Sequence, residues 1–429
     1  MKNTQIFKIQ EGIYFTHIPE NKFKDTRISI SFFSPLKKET ISANAVLPDL
    51  LSHGCKTYPS LRMVNQRLEE LYGSKISSSI AKMGDYQVMT LSAIGPNDNF
   101  VPNTSNNIQN LFELLCMMVF EPNSNGKSFY EDDIEREKYQ LIEEIKSEKS
   151  DKRFYAFQRC EEVMCKNELY GLNELGTIEN AQKLTPNTVY SAWKDLLSKS
   201  HIEIIVTGPG AYEPLVKKIT EKFDIIKRNY NPGPSTKIIE SASEIITVKE
   251  NQNLAQGKLV MGFRTKTAIP SKDVSAFKVL NALFGGTPQS KLFMNVREKL
   301  SLCYYCSSRY NPHKGIMMVE SGVENSNIEK AKKEILEQLK DITLGNFSDT
   351  ELAETKLFLT QTLRRSNDKL SALGQYYLSQ AFEEKKKNFE DLIKEISEVT
   401  REKVIELSSN ITLDTIYILS GSEGENHES

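Results

Sequence analysis

The sequence predicts an α+β protein of two homologous lobes, each an antiparallel or mixed sheet with helices packed on one side. Three observations carry this reading. The chain is written twice at half its length, a polar stretch rich in Pro and Gly separates the copies, and strand groups alternate with helices without a βαβ rhythm. In each copy a Thr opens a helix that leads into a strand ending in Gly: Thr185 to Gly208, and Thr400 to Gly421. The two Thr stand 215 residues apart and the two Gly 213, each half of the 429 residues. A chain of that length exceeds one ordinary core, and its 39% hydrophobic residues give each half enough apolar mass to fold.

Taken in order, Arg27–Phe33 alternates as a strand, with Lys258–Arg264 as its counterpart in the second copy. Leu61, Val64, Leu68 and Leu71 form a helical stripe that Gly73 ends. Ser74–Ala81 and Tyr86–Ile94 read as a hairpin closed by Lys82-Met-Gly-Asp85. Ile108, Leu111, Phe112 and Leu115 form another helix, and Tyr130–Asp151 is a long charged one. The stretch Lys227–Thr236 has linker composition. The expected division is therefore a lobe at 1–225, a linker at 226–245 and a second lobe at 246–429.

Charge narrows the function classes. Lys and Arg number 55 against 57 Asp and Glu, a net charge of −2, which argues against generic nucleic-acid binding. Met1–His17 lacks the apolar core of a signal peptide, and no apolar run approaches the ~18–20 residues of a membrane span. Six cysteines without framework spacing fit a reducing interior. A cytoplasmic location is expected.

A helical zinc site needs paired ligands on one face, yet His17, His53, His201, His313 and His427 are far apart, and neither His-x-x-Glu-His nor His-Glu-x-x-His occurs. Cys303-x-x-Cys306 lies in a strand-like segment, where residues three apart face opposite ways, so the two sulfurs are expected to diverge. Cys160 and Cys165 read as packing or surface thiols on a helix. Phe284-Gly-Gly-Thr-Pro-Gln-Ser290 lacks the Gly-Lys-Ser/Thr ending of a phosphate loop and reads as a helix stop and restart. From the residues alone, no catalytic group, metal site or cofactor is expected.

Several segments together resemble the insulinase family of zinc peptidases, across nearly the whole chain. They are Leu47–Pro59 with the helix to Leu71-Tyr-Gly73, Glu168–Gly176 with Leu184-Thr-Pro186, and Phe284-Gly-Gly286 followed by Ser290–Tyr304. The resemblance implies two lobes that face each other like a clam shell. It also places the family's inverted His-x-x-Glu-His motif on Ala45, Pro48 and Asp49, so both histidines and the general base are missing, and it places the distant third ligand on Glu135. One carboxylate cannot hold zinc, and Glu135 is expected to be salt-bridged or solvated. Arg297 and Tyr304 match the family's substrate-contacting pair. In two-subunit members one subunit carries the metal and the other lends this pair. The resemblance thus implies a non-catalytic, substrate-contacting half of a heterodimer, acting on peptides or a small protein precursor beside a subunit that contains His-x-x-Glu-His. The alternative is a scaffold that kept the fold and lost all peptidase function. Within the family, the chain most resembles a bacterial non-catalytic group named in association with 5-aminopentanol modification of elongation factor P.

Overall fold

The computed structural model describes residues 4–102, 106–210, 212–232, 236–252, 254–383 and 385–421. Two sheets carry the architecture. The first comprises β1 (Gln5–Gln10), β2 (Ile13–Ile18), β3 (Asp25–Pro35), β4 (Lys75–Met83), β5 (Tyr86–Pro96) and β6 (His201–Thr207), in the order β1-β2-β6-β3-β5-β4. The second comprises β7 (Ile246–Gln252), β8 (Gly257–Arg264), β9 (Cys303–Asn311), β10 (Ile316–Val323) and β11 (Thr412–Gly421), in the order β7-β11-β8-β10-β9. Without β1 the two orders are the same. Each sheet has one parallel pair, β2 with β6 and β7 with β11, among otherwise antiparallel neighbours. The duplication seen in the sequence is therefore a duplication of topology.

Local chemistry explains the matching elements. Thr185 caps the helix Pro186–Lys199 by accepting from the Thr188 N–H in a capping box, and Thr400 caps Arg401–Ser408 by accepting from the Lys403 N–H. Each helix hands the chain to a central strand, β6 or β11. The charged segment expected as one helix over Tyr130–Asp151 ends at Glu148. Asp151 then caps a new helix, Lys152–Met164, by accepting from the N–H groups of Arg153 and Phe154.

Burial shows how the sheets are covered. β6 and β10 are buried at every position, whereas the edge strands β4 and β7 alternate between covered and open. A strand buried at successive residues is covered on both faces, so helices on one side of each sheet do not suffice. The second cover comes from the other half of the sequence. One compact unit comprises Met1–Lys146, Leu172–Ser235 and Ser366–Lys386; the other comprises Ser147–Gly171, Thr236–Arg365 and Lys387–Ser429. A cut at 225–246 separates the strands of the two sheets but not their helices.

In the first unit one face packs on helices that include Asn107–Phe120 and Pro186–Lys199, with Ile28, Ile30, Leu111, Leu115, Val189 and Ile204 in the core. The other face carries Phe33, Tyr86, Val88 and Ile205, on which Tyr377, Leu378 and Ala381 of the borrowed segment 366–386 sit. In the second unit Val260, Met318, Tyr417 and Leu419 receive Ala156, Cys160, Met164 and Tyr170 of the borrowed segment 147–171. Gly262 makes room for this helix, because a Cβ there would lie 2.6 Å from the Met164 sulfur.

Charges fix both borrowed segments. Glu168 lies 2.8 Å from Arg264 and 2.7 Å from Lys314, and Arg264 also reaches Asp414 at 2.8 Å. In the first unit, Lys386 lies 2.8 Å from Glu203, which His201 also approaches at 3.0 Å. Among the described residues, no helix is long and apolar enough to cross a membrane.

Candidate functional site

In the first unit, two short helices, Ile41–Ala45 and Leu47–Ser52, carry the positions where the family's metal motif falls. Ala45 and Pro48 are buried and present only hydrocarbon; Asp49 is exposed and accepts from the Ser78 hydroxyl of β4. The helix Glu131–Glu148 passes nearby, but Glu135 is on its outer side, 55% exposed and paired with Lys138. The carboxylate turned toward Asp49 is Glu144. Nine positions at about 100° each carry the helix to its opposite face, so Glu135 and Glu144 cannot both look inward. Burial raises the Glu144 carboxyl above its ordinary range, and the charges of Asp49 and Glu174 add to the rise. Glu174 in turn lies 3.9 Å from Lys82, whose ammonium donates to the Leu172 carbonyl at 3.2 Å.

This donor set does not fit zinc, which takes imidazole and thiolate nitrogen and sulfur with at most a carboxylate beside them. The nearest imidazole, His53, is committed elsewhere. Its Nδ1 lies 3.0 Å from the buried Glu137 carboxylate, and that bond raises its pKa. Arg136 also reaches Glu137, at 3.1 Å. His53 and Arg136 border a cavity of about 350 Å³ that Leu50, Pro59, Asn123 and Gln140 help to line. Glu137 and Glu144, seven residues apart, lie on one side of the helix, Glu137 buried and Glu144 exposed; that spacing in the sequence was the available signal for Glu144.

In the second unit, Arg297 and Tyr304 are brought together, through the backbone. Arg297 lies in the last turn of the wide helix Leu292–Lys299, where its guanidinium lies 4.6 Å from the Phe293 ring and its Nε donates to the Tyr304 carbonyl at 3.0 Å. A second nitrogen lies 3.2 Å from Glu298. Tyr304 is 60% exposed, and its hydroxyl lies 3.4 Å from Glu324. The apolar face beneath Arg297 is narrow. Leu292 and Val296 are fully buried, but Leu300 is exposed, because a π-type helix turns less per residue and moves that position off the face.

The expectation for the two cysteines of β9 fails at the same place. Across the strand, Cys306 pairs with Ser321 and Tyr305 with Gly322, but Val323 pairs with Cys303. Tyr304 is the extra residue of a β-bulge. Ser321 and Val323 are two apart and share a face, so Cys303 and Cys306 share it too. Their side chains are hydrogen-bonded to each other.

Two sheets of one topology, a metal position emptied of nitrogen ligands and an exposed Arg–Tyr junction define a peptidase-like protein without its catalytic centre. The comparisons give the class its family. Residues 183–359 match the family described as "Peptidase M16 inactive domain". A Bacillus subtilis protein described as "Probable inactive metalloprotease YmfF" is 32% identical over 423 residues, 97% of this chain and 98% of its own. A conserved protein of Enterococcus faecalis superposes with a TM-score of 0.90 at 26% identity, over 99% of this chain and 100% of that one. A Pseudomonas fluorescens structure described as a peptidase M16 inactive domain gives 0.80 at 15%, over 99% and 100%, and so shares the fold. The chain belongs to the insulinase, or M16, peptidase family, as a member without the metal-binding motif.

Proposed function

We propose that this chain is the non-catalytic, substrate-contacting subunit of a heterodimeric zinc metallopeptidase-like complex, acting in the cytoplasm on peptides or a small protein precursor. Its partner would carry His-x-x-Glu-His and hold the metal. The observation that carries the reading is the Arg297–Tyr304 junction: an exposed phenol on a bulge, with its backbone fixed by a guanidinium that itself stacks on Phe293. A site lent to a partner needs such preorganised donors, which act on developing charge without reorganising at the moment of reaction. The alternative, a scaffold with the fold alone, draws on the local satisfaction of Arg297 by the Tyr304 carbonyl and Glu298.

The test is copurification of the native protein, identification of its partner, and turnover by the reconstituted pair. Arg297→Ala is expected to lower turnover about 10²–10³-fold while leaving assembly and zinc content unchanged. Arg297→Lys is expected to rescue poorly, because an ammonium lacks the planar fork. Arg309 makes a poor charge-loss control, since it is bound to Glu320 at 2.7 Å; the exposed Lys299 serves instead. Turnover by the Arg297→Ala pair at the wild-type rate would replace this reading with the scaffold.

A further inference from the structure

The β-bulge at Tyr304 does more than turn a phenol outward. By inserting one residue it converts an i, i+3 pair, which on a regular strand faces opposite ways, into neighbours on one face. Cys303 and Cys306 stand opposite Val323 and Ser321, so they are separated by two strand rises, roughly 6.6 Å. That is within the Cα separations of about 4.4–6.8 Å that a disulfide spans. Both thiols are free and interact with each other, and Ser321 and Arg297 lie beside Cys303. Cys303 is partly exposed, whereas Cys306 is buried behind it, as are Cys55, Cys116, Cys160 and Cys165 elsewhere.

We propose that Cys303 and Cys306 form a reversible dithiol–disulfide pair, a thiol-oxidation site created by the bulge. The oxidant is a low-molecular-weight disulfide. The Cys303 thiolate attacks one of its sulfurs, forming a mixed disulfide and releasing the first small thiol. Cys306 gives up its proton and attacks the Cys303 sulfur, closing the protein disulfide and releasing the second. Two protein thiols are oxidised and one small disulfide is reduced to two thiols.

The electrostatics assign the order of attack. The hydrogen bond from Cys306 holds the Cys303 thiol down at about 7, against the upward push of burial, and Ser321 and Arg297 help. The same bond and burial push Cys306 well up. Near neutral pH, Cys303 is thus the thiolate and the exposed member, and so the attacking sulfur. The buried Cys306 is the resolving one. This chemistry does not depend on the subunit reading above.

The test uses the full chain and glutathione disulfide as the probe. After exposure, free thiols are blocked with N-ethylmaleimide and the protein is digested with trypsin. Cleavage after Lys299 and Arg309 places both cysteines in one peptide. The expected product is that peptide lighter by about 2 Da, the loss of two hydrogens on closing the bond, carrying no maleimide and reverting on reduction. A stable glutathione adduct on Cys303 with Cys306 still open to alkylation would overturn the proposal, as would recovery of both thiols unoxidised. In Cys306→Ala, alkylation of Cys303 at pH 7 should slow about tenfold, as its pKa returns toward that of a free thiol. Unchanged alkylation there would also overturn it.

Discussion

In the first unit the borrowed segment 366–386 is held by rings and, at its end, by one ion pair. Phe382 stacks on Tyr86 at 4.7 Å and meets Phe33 edge-on at 5.2 Å, with Lys386 on Glu203 beyond. In the second unit the borrowed segment 147–171 is held by charges out of reach of water: the side chains of Glu168, Arg264 and Lys314 are each at most 2% exposed. The topology is the same and the fastening is not. Stacked rings gain by area and tolerate sliding, and Phe382 is still 43% exposed. A buried ion network adds little net stability, yet it penalises any docking that leaves one charge alone. The second unit is therefore built for a single register of its borrowed helix, and the first for an attachment whose rim can loosen locally.

The largest test of this contrast is Glu168→Ala, which takes the buried carboxylate away from Lys314 and leaves Arg264 with Asp414 and the Met164 carbonyl. Breaking a buried pair from one side costs about 3–5 kcal/mol. Hydrogen exchange of the amides in Lys152–Met164 should accelerate accordingly, while those of β3 and β5 keep their protection. A loss under about 1 kcal/mol, typical of an exposed pair, would show that the network does not fasten the helix.

Acid should also weaken the second unit first. Burial, with Lys278 adding to it, holds His313 down at about 4, whereas an unfolded histidine titrates near about 6.5. Between those values the unfolded chain binds the extra proton, so stability falls as pH drops from about 6.5 to about 4, by at most about 3 kcal/mol. Glu168 acts in a lower window. Burial pushes it up, but Lys314 and Arg264 outweigh that and hold it below its ordinary value. Its contribution is present above the unfolded carboxyl pKa and lost only as pH falls through the lower folded one. His313→Asn should remove the loss between about 6.5 and 4 in the thermal midpoint; an unaltered pH profile would exclude His313 as its source.

Much of this architecture was legible in the sequence, and the exceptions share a cause. The two Thr caps, the hairpin of β4 and β5, and the half-length repeat rest on neighbouring residues, so pattern and propensity reach them. The borrowed helices do not: Ala156, Cys160 and Met164 make an ordinary apolar stripe, and nothing local says that its partner on the sheet, Val260, lies a hundred residues after Cys160. At the degenerate metal position, the resemblance places Ala45, Pro48 and Asp49 on two short helices and Glu135 on the long one, but which face of the long helix turns inward depends on tertiary packing. The bulge at Tyr304 was invisible for the same reason. Only the register with β10 reveals it, and that register decides where both cysteines and the phenol point.

A smaller effect is expected at the other end of the first unit's segment. Lys386→Met leaves the fully buried Glu203 with His201 as its remaining close partner. Losing a charge-assisted bond costs about 2 kcal/mol, less than the Glu168 change because the imidazole stays within 3.0 Å. Exchange should quicken in Leu370–Leu378 and leave Lys152–Met164 untouched. Equal acceleration in both helices would mean that the two attachments are one cooperative unit and are not fastened differently.

The smallest effect should come from Phe382→Ala. The ring gives one stacked and one edge-on contact, each worth about 0.5–1.5 kcal/mol where buried, and its exposure brings the expected loss down to about 1 kcal/mol. The discriminating feature is where that loss falls. If the rim loosens locally, a protease should find new cleavage around residues 379–386 while the amides of Leu370–Leu378 keep their protection, since Tyr377 and Leu378 remain seated on Phe33 and Ile205. If the whole segment exchanges faster by the same factor, the attachment is all-or-none, and the first unit is fastened as rigidly as the second by other means.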